Sequence, residues 1–162
     1  MDDQDAPGYA RAPEPSDVVR LCRALNEANA KYVLIGGFAV LAHGAARFTK
    51  DIDLLIDDAP ANVAAVKRGL SVLADNAAAE VLDTDVREHV VVRVADEILV
   101  DLMGRACGLS YTDVVADAEQ IRLGDVDVPV ASPATLIRTK DTYRDQDKID
   151  RAFLEALIRQ RR

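Results

Sequence analysis

The sequence predicts an α/β (α+β) fold, a mixed β-sheet flanked by helices, on three observations. An apolar run, Lys31 to Ile35, stops at the glycine pair Gly36-Gly37 and turns into a helical pattern. The stretch Asp51-Ile52-Asp53-Leu54-Leu55-Ile56 sets acids at alternate positions in an aliphatic run, the two-residue period of a strand. Two further aliphatic stretches, His89 to Ala95 and Ile98 to Met103, follow as strands, while helical spacing of apolar residues marks both ends of the chain.

The elements follow in order. Residues 1–15 are rich in Asp, Pro and Gly without an apolar period, and are expected to be a flexible N-terminal arm. Ser16 is the expected cap of a helix over 17–29, with Val18, Leu21, Cys22, Leu25 and Ala28 on its buried face. The first strand, 31–35, leads into a helix from Phe38 to Ala42 that Gly44 ends. His43, near that end, reads as a partly exposed residue favoured by the helix dipole. The loop Arg47-Phe48-Thr49-Lys50 feeds the second strand, 51–56, and Asp57-Asp58-Ala59-Pro60 turns into a helix near 61–74. Ala79 to Leu82 reads as a short strand, and Asp96-Glu97 as the turn between the strands 89–95 and 98–103. Residues 104–118 read as loop with a helical turn, and 121–130 as a hairpin with a Gly124-Asp125 corner. Ser132-Pro133 opens a helix to about residue 142, and a last helix spans roughly 146–160.

The chain's 162 residues suffice for one domain with its own core, expected over 16–162, with C-terminal helices at about 133–160. No apolar run reaches the length of a membrane span and the N-terminus is acidic, so the expectation is a cytoplasmic protein with no membrane partner. Cys22 and Cys107 form neither a metal-type cluster nor a disulfide framework. The net charge of −8 disfavours nucleic-acid binding driven by counterion release, though not a nucleic-acid substrate held locally by arginines.

The chemistry concentrates between residues 36 and 53. A strand that ends in Gly36-Gly37 and becomes a helix aims backbone N–H groups at open space, a corner that suits phosphate. On a strand, Asp51 and Asp53 share one face, about 6.6 Å apart, while Ile52 and Leu54 enter the core. Like charges so close call for a positive partner, and a hard divalent cation such as Mg²⁺ or Mn²⁺ is a natural one; the plainer alternative is an edge strand with two solvated acids. Arg47 and Lys50 are placed to meet phosphate oxygens and Thr49 to orient a carboxylate, unless the loop is simply solvated. Asp101 interrupts the apolar run 98–103 and needs either a metal or an arginine such as Arg93 or Arg105. His89 has no ligand-type neighbour at metal-binding spacing.

Gly-Gly, thirteen residues, then Asp-hydrophobic-Asp-hydrophobic resembles the signature of the DNA polymerase β-like nucleotidyltransferase superfamily. Arg47-x-Thr49-x-Asp51-Ile52-Asp53 resembles its small bacterial branch, which includes toxin–antitoxin-associated nucleotidyltransferases of the AbiEii and MNT type. The likeness is close over residues 31–57 and looser elsewhere. It implies the polymerase β-like fold, a third metal-binding carboxylate on a later strand at Asp101, with Glu97 as the competing candidate, and an NTP as co-substrate. It further implies transfer of an NMP to a hydroxyl of a protein, RNA or small molecule, with a cognate toxin or antitoxin as partner. The alternative is a non-catalytic nucleotide- or partner-binding module on the same fold. Lys140, Arg144, Asp147 and Asp150 echo the family's C-terminal order, with Gln146 where a basic residue is common. By spacing alone, the two acids read as an exposed helix face with local ion pairs.

Overall fold

A computed structural model describes residues 10–140 and 144–162. The elements run α1 (Pro15–Glu27), β1 (Tyr32–Ile35), α2 (Gly36–Ala42), β2 (Asp51–Ile56), α3 (Pro60–Leu70), a 3-10 turn (Ala77–Glu80), α4 (Asp85–Glu88), β3 (Val92–Ala95), β4 (Leu99–Met103), β5 (Arg105–Ala106), β6 (Leu109–Ser110), α5 (Tyr111–Val115), β7 (Glu119–Leu123), β8 (Val126–Val130), α6 (Pro133–Arg138) and α7 (Asp145–Gln160). Most of the predicted arm, and the last residues of the helix expected over 133–142, lie outside the described residues.

Six strands form one mixed sheet in the order β3-β4-β2-β1-β8-β7, and β5 and β6 form a separate small hairpin. β1 runs antiparallel to β2 and parallel to β8; β2 runs parallel to β4; β3 and β7 are antiparallel edge strands. The expected α/β architecture is present: β1 and β2 sit in the middle, and their buried aliphatic residues Val33, Leu34, Ile52, Leu54, Leu55 and Ile56 form the centre of the core. Helices flank the sheet. α1 packs against α3 so closely that a Cβ on Gly69 would stand 2.6 Å from Leu25 Cδ2. Cys22 is fully buried on α1, and burial pushes its thiol up to about 12, so it behaves as a small hydrophobe. Asn62 spans the ends of β1 and β2: its Oδ1 accepts from Lys31 N at 2.7 Å while its Nδ2 donates to Lys31 O and Asp57 O.

Three expectations are corrected by local hydrogen bonding. α1 starts at Pro15, not 17, because Glu14 is the N-cap and Asp17, rather than Ser16, closes the capping box by accepting from Glu14 N at 2.7 Å. Ala79 to Leu82 is not a strand. The buried Asp96 carboxylate accepts from the amides of Asp75 and Ala77 at 2.9 and 2.8 Å, which anchors this stretch and favours the tight 3-10 turn over Ala77–Glu80. Residues 104–110 are not plain loop: β5 and β6 pair across Cys107 and Gly108, both with positive φ, before Ser110 caps α5. His43 is partly exposed, as expected, and its Nε2 lies 2.8 Å from Ala131 O.

Candidate active site

The sheet register assembles the site. Ile35 pairs with Asp53 across β1 and β2, Asp53 pairs with Asp101 across β2 and β4, and Asp101 pairs with Arg93 across β4 and β3. Paired positions project from the same face, so Asp53, Asp101 and Arg93 form a row over three adjacent strands. Asp51, two residues before Asp53, shares that face. Asp51, Asp53 and Asp101 each bring a carboxylate oxygen to within 4.8 Å of the other two. The alternation Asp-Ile-Asp-Leu does as its period demands, for Ile52 and Leu54 are fully buried underneath.

The glycine corner stands beside this trio. Gly36 has φ +72°, and a Cβ there would lie 2.0 Å from Asp53 Oδ2. A Cβ on Gly37 would lie 2.7 Å from Thr49 Oγ1. Both glycines are therefore required by how tightly β2 and its preceding loop pack on the start of α2. A pocket of about 500 Å³ opens over the corner and the trio, lined also by Arg47, Thr49, Arg93, Lys140, Arg144 and Asp147.

The acids repel one another. Burial, then the neighbouring Asp51 and Asp101 charges, push Asp53 up to about 7. Burial and Asp101 likewise raise Asp51. Lys140 works in the opposite direction on Asp53. An all-oxygen set of three crowded carboxylates fits a hard divalent cation such as Mg²⁺ or Mn²⁺.

The other expected site residues divide. Arg47 lines the pocket but pairs with Asp150. Thr49 is buried and donates to the backbone carbonyl of Asp51 at 3.2 Å, not to a carboxylate; it holds the loop against the strand. Lys50 is exposed and does not line the pocket. Glu97, the rival to Asp101, is committed elsewhere: it pairs with Arg20 at 2.9 Å and Arg11 at 3.3 Å.

The C-terminal acids correct the reading by spacing. Asp147 and Asp150 are not an exposed face; their side chains are 2% exposed. Lys140 Nζ lies 3.3 Å from Asp150 Oδ2 and 3.8 Å from Asp147 Oδ1, Arg144 Nη2 lies 3.3 Å from Asp147 Oδ1, and Arg47 reaches Asp150 from the loop before β2. Gln146 adds a hydrogen bond to Asp150 Oδ1 at 2.9 Å. This buried network ties α7 to the loop that delivers Asp51. Sequence spacing showed the acids but not their partners, which come from distant segments.

A mixed sheet with helices on it, carrying three acids to a diglycine corner, is an α/β nucleotidyltransferase fold. A model of the family described as "Nucleotidyl transferase AbiEii toxin, Type IV TA system" matches residues 20–142, and the chain belongs to that family. The family is one of nucleotidyltransferase toxins of type IV toxin–antitoxin systems. No curated protein matches the chain. Among the described residues, no helix is long and apolar enough to cross a membrane.

Proposed function

We propose that this chain is a metal-dependent nucleotidyltransferase that moves an NMP from an NTP to a hydroxyl of a protein, RNA or small molecule, and that it does so as the toxin of a toxin–antitoxin pair. The observation that carries the proposal is the meeting of Asp51, Asp53 and Asp101 beside Gly36 and Gly37 in one open pocket.

Asp51, Asp53 and Asp101 would hold Mg²⁺ or Mn²⁺, which when bound supplies Lewis-acid stabilisation of charge on the phosphates. Gly36 and Gly37 line the pocket at the start of α2, where their backbone N–H groups are offered to the triphosphate, while their missing Cβ atoms leave room for Asp53 and Thr49. The acceptor oxygen forms a bond to the α-phosphorus, the bond to the β-phosphate's bridging oxygen breaks, and pyrophosphate leaves with that electron pair. The acceptor's proton passes to a carboxylate oxygen of Asp101. Lys140, on the pocket wall, offsets part of the trio's repulsion, and Asp147 and Asp150 hold it there. Arg47, engaged by Asp150, fixes the loop before β2; together with the sheet this places Asp51 and Asp53 rigidly, and positioning of that kind supplies much of the rate in phosphoryl transfer.

The test is incubation with labelled ATP, CTP, GTP and UTP plus Mg²⁺, with and without cell extract, for the parent and Asp53→Asn. Label should enter protein, RNA or a small molecule with the parent, and fall by about 100-fold or more with a folded Asp53→Asn. Equal transfer by the two proteins refutes the assignment. Nucleotide binding without any transfer would instead support a non-catalytic module.

A further inference from the structure

Arg93 occupies a peculiar position. It lies on β3, at the edge of the sheet, directly opposite Asp101 in the antiparallel register. Its guanidinium takes both oxygens of that acid, Nε to Oδ1 at 2.8 Å and Nη2 to Oδ2 at 2.9 Å. The same Nη2 also donates to Asp51 Oδ2 at 2.9 Å. One side chain thus bridges two members of the carboxylate trio, and the oxygens it holds are donors that a divalent cation would also use.

The burial pattern says which partner can move. The Asp101 side chain is 9% exposed and stands on an interior strand, whereas Arg93 is 51% exposed on the edge strand. Its neighbour Val94 is buried and anchors the backbone, so the Arg93 side chain can leave the acids without disturbing the core. Of the other cations that line the pocket, Arg47 is engaged with Asp150, Lys140 with Asp147 and Asp150, and Arg144 with Asp147.

We infer that Arg93 is a built-in counter-cation of the trio: it competes with a divalent cation for Asp51 and Asp101, and so sets how tightly the site binds metal. The inference rests on the reading of the trio as a metal site. Arg93 is a positioning residue here, for it holds the two acids in place, and a cation that takes the same oxygens has to share them with it or displace it. It also engages both oxygens of Asp101, so it competes with the proton transfer assigned to that acid.

The experiment is direct titration with Mn²⁺, by calorimetry and by electron paramagnetic resonance of the free ion, on the parent, Arg93→Gln, Arg93→Lys and Asp53→Asn. Removing a unit charge that touches two ligands should tighten Mn²⁺ binding on the order of tenfold in Arg93→Gln. Lysine keeps the charge but cannot bridge both acids with a planar fork, so Arg93→Lys should show a smaller gain. Melting curves give a second readout: Arg93→Gln should melt lower than the parent in chelator, and Mn²⁺ should raise its melting temperature by more. If Arg93→Gln does not fold, Arg93→Lys carries the comparison. Unchanged or weaker Mn²⁺ affinity in a folded Arg93 variant, with Asp53→Asn still abolishing binding, overturns the role of Arg93 and leaves the metal site standing. Mn²⁺ binding that survives Asp53→Asn, or no binding by any of the proteins, overturns both.

Discussion

Asp150 tests whether the buried network holds the active-site loop in place. Its side chain is 2% exposed, and two cations depend on it: Lys140, 9% exposed, and Arg47, 14% exposed. Asp150→Asn keeps the shape and can still accept from Gln146, but it removes the charge that balances both cations. Breaking a buried ion pair from one side costs about 3–5 kcal/mol, because the surviving charge is left without its partner. Lys140 retains Asp147 at 3.8 Å, which places this variant at the lower end, about 3 kcal/mol. For a chain of this size each kcal/mol moves the melting temperature by about 2–4 °C, so the expected fall is about 6–12 °C. The assay is thermal denaturation followed by circular dichroism, with Arg47→Met and the double variant alongside. The double variant should lose less than the sum of the two single losses, since the two residues interact. A fall of less than about 2 °C in Asp150→Asn, or strict additivity in the double variant, would refute the idea that this network carries stability.

Two further outcomes follow from geometry and charge. Gly36→Ala puts a Cβ 2.0 Å from Asp53 Oδ2 and 2.9 Å from Asp53 Cβ at a backbone angle of φ +72°, so the Asp53 side chain must turn and the strand under it must shift; Mn²⁺ affinity should fall by about tenfold or more, stability should fall by more than the about 1–2 kcal/mol strain of a left-handed alanine, and calorimetry beside a melting curve separates the two effects. The Arg11 guanidinium, then the Glu14 amide, hold Asp17 down to about 2 from 3.8, a lowered pKa whose stabilisation exists above the unfolded value and is lost as pH falls toward 2. Asp17→Asn should therefore cost about 2 kcal/mol at pH 7 in urea melts, and the difference from the parent should close as the pH drops through the range from 4 to 2.

Much of the fold and of the central site was legible because it rests on local period. Asp51-Ile52-Asp53-Leu54 announces both a strand and the face its acids occupy, and β2 begins and ends where that pattern does. Asp101 could be picked out because an acid inside Leu99-Val100-Asp101-Leu102 has to be answered by something. What answers it is set by strand pairing, and pairing between β2 and β4 is non-local; Arg93 was readable as a candidate partner but not as a bridge to Asp51. The burial of Asp147 and Asp150 was illegible for the same reason. Charges three residues apart on a helix look solvated until Arg47, from a loop about a hundred positions earlier, is brought against them. The 3-10 turn over Ala77–Glu80 was missed because the group that decides the matter, the Asp96 carboxylate, comes from beyond the segment.

The contrast between the two cysteines has a practical use. Cys22 is sealed in the core with its thiol held protonated, whereas Cys107 is exposed at the tip of the small hairpin and lines the mouth of the pocket. A maleimide dye should therefore attach at a single place without any engineered cysteine. Placed there, the fluorophore would report whether an added nucleotide enters the pocket, and at what rate, independently of any turnover.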